Sequence, residues 1–314
     1  MKAVFLERGS FPKTVHFVYP ESITHITEFE NTQVDDVPAR IKKADIVLTN
    51  KVLVNRDAIE SSETLKLIQV MATGTNNVDK VACAENNVKV QNVEGYSSIS
   101  VPEHTFALLL ALRRNLVSYL EDVKKARWAT SEYFCFTDHP IRDLANTTMA
   151  IIGNGNLGQK VAHIAMAFSM NIIFVEHKGA QVTRPGYVAF DDAIQTADII
   201  SLHCPLTEKT KNLISYDEFE QMKPTSILLN IGRGGLVNEA ALVDALTTHN
   251  ILAAGFDVAT QEPMPLDHPL QKLTELPNFL LTPHIAWASS EAMQTLVDIA
   301  MGKIKDFFEE IARA

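Results

Sequence analysis

The sequence is poor in cysteine, has no long apolar run and carries no excess of positive charge. Its three cysteines, Cys83, Cys135 and Cys204, lie far apart without a C-x-x-C pair, which argues against a disulfide framework or a metal site and favours reduced thiols. The longest apolar run near the middle, Phe106–Leu112, is far shorter than the ~20 residues of a membrane-spanning helix. The formal net charge of −10 disfavours nucleic acid and anionic membranes as partners.

The first residues carry no recognisable export signal. The segment MKAVFL has one lysine before a short apolar stretch, which Glu7 and Arg8 end at once, whereas a signal peptide needs a longer apolar region. The composition, with 46% hydrophobic and 21% charged residues, is typical of a globular protein with a substantial core. We therefore expect a cytoplasmic protein, and 314 residues leave room for two domains.

Short apolar runs, separated by helical patterns, recur along the whole chain. They cover residues 3–6, 45–50, 65–71 and 88–93 in the first third, and 149–153, 171–176, 198–204, 226–232, 251–257 and 279–284 after it. Most of them are almost continuously apolar, as expected of parallel strands buried on both faces. The pattern predicts an α/β protein with two doubly wound parallel sheets.

Two long helical patterns divide these runs. The first, Ser100–Arg127, has a cap-like Ser100, Pro102 near its start and Glu103 at capping-box spacing. The second runs from residue 288 to the end, with apolar side chains at three-four spacing. We predict one discontinuous domain made of residues 1–100 and 285–314, and a second domain of residues 101–284.

A glycine-rich turn follows the run that ends at residue 153. Gly153, Gly155 and Gly158 form G-x-G-x-x-G directly after a strand pattern and directly before a helical one. The first glycine permits a tight turn, the second lets a pyrophosphate approach the backbone, and the third lets the helix pack on the strand. The context favours a dinucleotide site over an ordinary strand-to-helix turn, which remains the alternative.

The next strand ends in an acid at the expected distance from this turn. Glu176 lies eighteen residues after Gly158, near the spacing at which a carboxylate accepts hydrogen bonds from the adenine ribose hydroxyls. A carboxylate there repels a 2′-phosphate, so NAD is preferred and NADP is a weaker alternative. His177 and Lys178 follow directly and could offset part of that repulsion. A solvated acid at a strand end is the alternative interpretation of Glu176.

Three polar residues follow the later strands, at the sheet edge where doubly wound folds bind ligands. They are Arg233, Glu262 and His284. Reduction of a 2-keto acid needs a fixed cation for the carboxylate and carbonyl, a proton donor that titrates near neutrality, and a carboxylate that orients this donor. Arginine, histidine and glutamate provide these functions. Each residue taken alone has an ordinary structural explanation, but the set together predicts this chemistry.

Seven stretches, in this order, resemble the signature motifs of one enzyme family. They are VMATGTNNVD (70–79), NVEGYSSISVPEHTFALLL (92–110), IIGNGNLGQKVA (151–162), HCPLTEKTKNLI (203–214), LLNIGRGGLVNEAALVDAL (228–246), AAGFDVATQEP (253–263) and TPHIAWAS (282–289). Over nearly its whole length the chain resembles the D-isomer-specific 2-hydroxyacid dehydrogenases. The resemblance implies a discontinuous, flavodoxin-like substrate domain and a Rossmann NAD-binding domain.

The resemblance also implies roles for individual residues. Arg233 would be the substrate-binding catalytic arginine, Glu262 the partner acid and His284 the proton donor. Thr73 and Gly74 would hold the substrate carboxylate through backbone N–H groups, as a glycine loop can. The residues implied to contact the coenzyme are Gly153, Gly155, Asn156, Leu157, Gly158, Glu176, Cys204, Pro205, Ile231, Gly232 and Asp257.

Within the family, the tail PHIAWAS and the stretch Arg127–Phe136 resemble the glycerate dehydrogenase, or hydroxypyruvate reductase, branch. The resemblance therefore implies that hydroxypyruvate or glyoxylate is reduced to the D-2-hydroxy acid. Trp287 would either wall a small substrate pocket or pack between the domains. The family also implies a homodimer, formed through the second domain near Ser100–Arg127.

Two other functions are compatible with a glycine-rich turn and an acidic ribose contact. A non-enzymatic NAD sensor, like the co-repressors related to this family, would keep the fold and even the three catalytic residue types. A methyltransferase would not need the arginine, glutamate and histidine set. Assays of NADH oxidation and of coenzyme binding distinguish these functions from a dehydrogenase.

Overall fold

Two parallel β-sheets organise the chain, which the computed structural model describes over residues 1–313. One sheet belongs to a discontinuous unit made of Met1–Ser97 and Ala288–Ala314, and the other belongs to the contiguous unit Ser98–Trp287. Helices accompany both sheets, so the predicted α/β fold with two doubly wound sheets is confirmed. Among residues 1–313 we find no helix with the length and apolar character needed to cross a bilayer.

The sheet of the discontinuous unit has five parallel strands in the order β2-β1-β3-β4-β5, the flavodoxin-like order. These strands are β1 Lys2–Phe5, β2 His25–Glu28, β3 Ile46–Thr49, β4 Leu67–Val70 and β5 Lys89–Gln91. The helices between them are α1 Val37–Ile41, α2 Arg56–Glu60 and α3 Lys80–Glu85. Every residue of β3 and β4 is buried, as the continuous apolar runs predicted.

The C-terminal helix, Ser290–Arg313, belongs to the same unit. It buries an apolar stripe that includes Leu296 and Ile304. Two polar contacts join it to the end of the sheet: Lys89 Nζ donates to Glu310 Oε2 at 2.6 Å, and Lys303 Nζ donates to the Asn92 carbonyl oxygen at 2.8 Å. The last helix therefore packs beside residues that lie more than two hundred positions earlier in the chain.

The second sheet has seven parallel strands in the order β12-β11-β10-β9-β6-β7-β8. The strands are β6 Thr148–Ile152, β7 Asn171–Val175, β8 Tyr187–Val188, β9 Ile199–Leu202, β10 Ile227–Asn230, β11 Ala253–Phe256 and β12 Phe279–Leu281. The helices of this unit are α4 Ser100–Arg113, α5 Leu116–Lys124, α6 Asn156–Ala167, α7 Phe190–Thr196, α8 Tyr216–Gln221 and α9 Glu239–Thr247. The strand order reverses between β6 and β9, which is the position at which Rossmann folds bind dinucleotides.

Side chains of the second sheet contribute alternately to two separate cores. Met149 and Ile151 of β6 belong to one cluster, whereas Ala150 and Ile152 belong to the other. Successive residues of a strand point to opposite faces, so both faces of this strand are buried. The continuous apolar runs in the sequence result from this two-sided burial.

The structure corrects the sequence interpretation of Ser100–Arg127 and adds two strands. The helix breaks at Asn115, whose φ of 49° is left-handed and whose side chain donates to the Pro140 carbonyl oxygen at 2.5 Å. The predicted cap at Ser100 is wrong, because its buried hydroxyl has no hydrogen-bond partner within residues 1–313. Strands β2 and β8 were not predicted, since each is short, half-exposed and at a sheet edge.

Candidate active site

The glycine turn lies at the position where the strand order reverses. Gly153 follows β6 with a φ of 111°, a backbone conformation that strongly favours glycine. A Cβ atom at Gly153 would lie only 2.5 Å from the His203 carbonyl carbon and 2.6 Å from the Cys204 nitrogen. Glycine is therefore required for the turn to pass over the residues that follow β9.

The other two glycines have different surroundings. A Cβ atom at Gly158 would overlap the carbonyl oxygen of Gly153, so this glycine lets α6 begin against the turn. A Cβ atom at Gly155 would meet no described atom within 4 Å, and Gly155 and Asn156 are exposed. Leu157 packs against the core beneath the sheet. The open backbone at the start of α6 fits the pyrophosphate of a dinucleotide.

The predicted ribose acid lies beside this turn, but its carboxylate is already hydrogen-bonded within the chain. Glu176 directly follows β7 and is 3% exposed. Arg184 donates to it through Nε at 2.7 Å and through Nη2 at 2.8 Å, and these bonds help lower the pKa of Glu176 to about 2. Lys178, which the sequence offered as a neighbouring cation, pairs instead with Glu218 at 2.6 Å.

Arg233, Glu262 and His284 follow three neighbouring strands, β10, β11 and β12. Arg233 comes three residues after the end of β10 and is half-buried. Its Nη1 donates to the carbonyl oxygen of Gly232 at 2.7 Å, and among residues 1–313 it forms no ion pair with a carboxylate. A half-buried guanidinium without an acidic partner is suited to bind an anion.

Buried Asn230 at the end of β10 holds the loop that carries Arg233. Its Nδ2 donates to the Arg233 carbonyl oxygen at 2.8 Å, and its Oδ1 accepts from the Gly232 N–H at 3.2 Å. A Cβ atom at Gly234, the residue after Arg233, would overlap the carbonyl group of Ala259. The arginine loop therefore packs directly on the loop that leads to Glu262.

The structure brings His284 and Glu262 into direct contact. His284 Nδ1 lies 2.6 Å from Glu262 Oε2, while Glu262 Oε1 accepts from the Ala259 N–H at 3.0 Å. A carboxylate on Nδ1 fixes the ring orientation, leaves Nε2 for a substrate and stabilises the protonated imidazole. The pair therefore has the geometry of an oriented proton donor.

Asp257 forms hydrogen bonds with residues on both sides of His284. Its Oδ1 accepts from the Thr282 hydroxyl at 2.6 Å and from the Ile285 N–H at 2.9 Å, and its Oδ2 accepts from the Ala286 N–H at 2.8 Å. Asp257 is 1% exposed, so these bonds are sheltered from water. His284 itself has a φ of 55°, in the left-handed region. The clamp therefore holds the imidazole on a constrained turn.

We expect Asp257→Asn to lower kcat/KM for keto-acid reduction by about 10-fold or more, because one backbone N–H loses its charged acceptor. The change should reduce the rate more than it reduces the affinity for substrate. Steady-state kinetics and thermal melting measure the two effects. Asp198→Asn is the matched control, since Asp198 accepts from the Thr148 N–H at 2.9 Å at the opposite end of the sheet. An equal loss of activity in both variants would contradict a specific role for Asp257.

The remaining predicted coenzyme residues follow β9 and β10. Cys204 is partly buried, and burial raises the pKa of its thiol to about 11; Pro205 beside it is exposed. Ile231 is buried, and Gly232 lies close to the Leu202 carbonyl oxygen. They occupy the same edge of the sheet as the glycine turn, and their contacts with the coenzyme stay predictions.

The predicted carboxylate loop lies in the discontinuous unit. Thr73 and Gly74 follow β4, at the carboxyl edge of that sheet. The Thr73 hydroxyl donates to the Val93 carbonyl oxygen at 3.0 Å, and Asn92 Nδ2 donates to the Thr73 carbonyl oxygen at 2.7 Å. These bonds fix the loop, and its role in binding substrate stays a prediction.

Sequence reasoning missed several residues that shape the site. Arg184, Asn230 and the clamping role of Asp257 carry no signal that spacing or composition could have shown. The indole N–H of Trp287 donates to the His284 carbonyl oxygen at 3.0 Å, and its ring packs at the edge of a core cluster. Trp287 therefore supports the histidine turn, in addition to either role considered from the sequence.

Comparison with known proteins is consistent with this geometry. Residues 106–286 match the family model described as D-isomer specific 2-hydroxyacid dehydrogenase, NAD binding domain. A protein of Haemophilus influenzae named as a 2-hydroxyacid dehydrogenase is 44% identical over 312 residues, which cover 99% of each chain. The glycerate dehydrogenase of Methylorubrum extorquens is 41% identical over 308 residues, covering 98% of this chain and 96% of the relative.

Solved structures share the fold over nearly the whole chain. An acyclic imino acid reductase in complex with NADPH and D-Arg has a TM-score of 0.82 and 26% identity, covering 99% of this chain and 98% of that one. The D-lactate dehydrogenase of Aquifex aeolicus, complexed with NAD and lactic acid, has a TM-score of 0.79 and 24% identity, covering 98% and 96%. The chain belongs to the D-isomer-specific 2-hydroxyacid dehydrogenase family and is an NAD-dependent enzyme of that family.

Proposed function

We propose that this enzyme reduces a small 2-keto acid, hydroxypyruvate or glyoxylate, to the D-2-hydroxy acid. The proposal rests on the 2.6 Å contact between His284 and Glu262, at the same sheet edge as Arg233. The substrate class is supported by the glycerate dehydrogenase relative and by a hydroxypyruvate reductase of Blautia hydrogenotrophica, 34% identical over 281 residues. The latter match covers 88% of this chain and 86% of the relative.

The proposed role of Arg233 is to bind the substrate carboxylate and polarise the keto group. Its guanidinium offers a planar set of donors that matches a carboxylate. The Asn230 bonds fix the loop before the substrate arrives. Less conformational freedom is then lost when the substrate binds.

The proposed role of His284 is to give a proton from Nε2 to the carbonyl oxygen as the oxygen becomes an alkoxide. Bound NADH supplies the hydride for the keto carbon. Glu262 accepts from Nδ1, so it orients the ring and offsets the positive charge of the imidazolium. The Asp257 clamp keeps the ring in position between turnovers.

The direct test is NADH oxidation by the purified protein with a panel of small 2-keto acids, followed by chiral analysis of the product. We expect hydroxypyruvate and glyoxylate to be the best substrates, with D-glycerate formed from hydroxypyruvate. Pyruvate and a bulky branched keto acid serve as comparisons. Preference for the bulky acid, or formation of the L product, would contradict the proposal, and binding of NADH without any turnover would favour the sensor alternative.

We also propose a cytoplasmic homodimer. Helix α5 and the segment after it expose several apolar side chains, among them Leu120 at 51%, Trp128 at 57% and Phe134 at 90%. Exposed large apolar side chains of this kind are typical of subunit interfaces. The three free cysteines support a reducing compartment. Sedimentation velocity of the wild type and of Leu120→Glu measures the oligomeric state, and a monomeric wild type would contradict the dimer.

A further inference from the structure

Arg184 donates hydrogen bonds to Glu176, the acid that the coenzyme ribose is expected to bind. Glu176 Oε1 accepts from the His177 N–H at 2.8 Å and from Arg184 Nη2 at 2.8 Å. Its Oε2 accepts from Arg184 Nε at 2.7 Å and from the Arg184 N–H at 3.1 Å. An ionised carboxylate offers about four lone-pair positions. All of them are used, so ribose hydroxyls can bind Glu176 only by displacing Arg184.

The Arg184 side chain is held in place from a second side. Its guanidinium carbon lies 4.1 Å from the centre of the Tyr187 ring, a cation–π contact. The Tyr187 hydroxyl accepts from Asn154 Nδ2 at 2.8 Å, and Asn154 lies between the first two glycines of the turn. Arg184 is therefore connected through hydrogen bonds and a ring contact to both parts of the proposed dinucleotide site.

The Glu176–Arg184 pair presents a different group and a different charge to a ligand than an unpaired glutamate would. Glu176 is 3% exposed, whereas the Arg184 side chain is 51% exposed, so the guanidinium is the group that an incoming ligand meets first. Arg184 cancels the negative charge that would otherwise repel a 2′-phosphate. Lys178 does not do this, because its ammonium group is paired with Glu218 at 2.6 Å.

We propose that Arg184 determines the coenzyme preference of this enzyme, by competing with the NAD(H) ribose for Glu176 and by offering its guanidinium to the 2′-phosphate of NADP(H). The proposal rests on the keto-acid reduction proposed above for this NAD-dependent enzyme, and deepens it. In this arrangement, NADH binds only after Arg184 releases two donors. The 2′-phosphate of NADPH is a dianion that Arg184 can bind. While Arg184 stays paired with Glu176, the negative charge of that carboxylate is neutralised and does not repel the phosphate. The wild type should therefore bind both coenzymes with a modest preference for NADH.

The test is calorimetric titration of NADH and NADPH into wild type, Arg184→Ala and Arg184→Lys without any keto acid. In Arg184→Ala the ratio of Kd for NADPH to Kd for NADH should rise about tenfold or more, through weaker NADPH binding and equal or tighter NADH binding. Arg184→Lys keeps the charge without the fork and should give an intermediate ratio. Arg56→Ala removes the same charge in the other unit, where Arg56 pairs with Glu85 and Glu60, and should leave the ratio unchanged.

The outcomes separate this inference from the proposed function. An unchanged ratio in Arg184→Ala, with an unchanged melting temperature, would overturn the role of Arg184 even if the enzyme reduces hydroxypyruvate. A raised ratio supports it even if no keto acid is reduced, because the titration measures binding alone. A wild type that binds neither coenzyme would overturn both. If Arg184→Ala does not fold, the ratio in Arg184→Lys decides, and a wild-type ratio there would contradict the proposal.

Discussion

Replacing His284 with asparagine should lower kcat/KM for keto-acid reduction by about 10²–10⁴-fold, the usual contribution of a general acid. Asparagine tolerates the left-handed backbone that His284 adopts at a φ of 55°. Its amide can still donate to Glu262, which accepts from the imidazole at 2.6 Å in the native chain. The substitution therefore removes the transferable proton while it keeps the backbone and the acid partner. Binding of NADH, measured by titration, should be nearly unchanged.

The pH dependence gives a second measurement of the same role. Only the protonated imidazole carries the proton that the alkoxide needs, so reduction by the wild type should slow as pH rises and the proton donor is lost. His284→Asn should lose this decline and show a flat, low rate. His249→Asn is a matched control, because His249 is exposed and has a similar φ of 60°. A flat profile in the wild type, with chemistry limiting the rate, would remove His284 from this role.

Arg233→Lys should keep the positive charge and still lose at least ~2 kcal/mol of transition-state stabilisation, about a 30-fold fall in kcat/KM. An ammonium group donates from one atom and cannot match the two oxygens of a carboxylate as a guanidinium does. The Lys side chain also lacks the bond from Nη1 to the Gly232 carbonyl oxygen. The expected pattern is a higher KM for the keto acid together with a lower kcat.

The Arg233 variant needs a control for charge and for folding. Arg56→Lys makes the same exchange on the surface of the other unit and should behave as wild type. The affinity of Arg233→Lys for NADH, measured without keto acid, should stay within about twofold of the wild type if the arginine acts on the substrate. Wild-type kcat/KM in Arg233→Lys would exclude the proposed fork with the substrate carboxylate.

Much of the fold could be predicted because local sequence and tertiary burial agree. The runs that became β3, β4, β9 and β10 are mostly apolar and buried at every position, because both faces of their sheets are covered. The glycine turn could be predicted from the sequence because steric overlap excludes a Cβ atom at Gly153 and Gly158, so both positions require glycine. The edge strands β2 and β8 were missed because one side of an edge strand is unpaired and its residues need not be apolar.

The candidate site was only partly predictable, for a different physical reason. Arg233, Glu262 and His284 follow strand-like runs, so sheet topology alone places them at one edge. The pairing of Arg184 with Glu176 spans eight residues of irregular loop, and nothing in that segment predicts its direction. The same holds for Asp257, which binds backbone N–H groups 28 and 29 residues further along the chain. Contacts of this kind depend on tertiary packing, which propensity and spacing do not encode.

The left-handed backbone at His284 has a consequence for engineering this enzyme. A side chain at a φ of 55° costs free energy that glycine does not, so the native residue is not the one that folding alone would favour. Selection of variants for heat resistance alone should therefore favour glycine at position 284, and we expect such variants to melt at a higher temperature and to lack the proposed proton donor. A screen on this scaffold should measure turnover in every round, since thermal stability and catalytic activity are expected to favour different residues at this position.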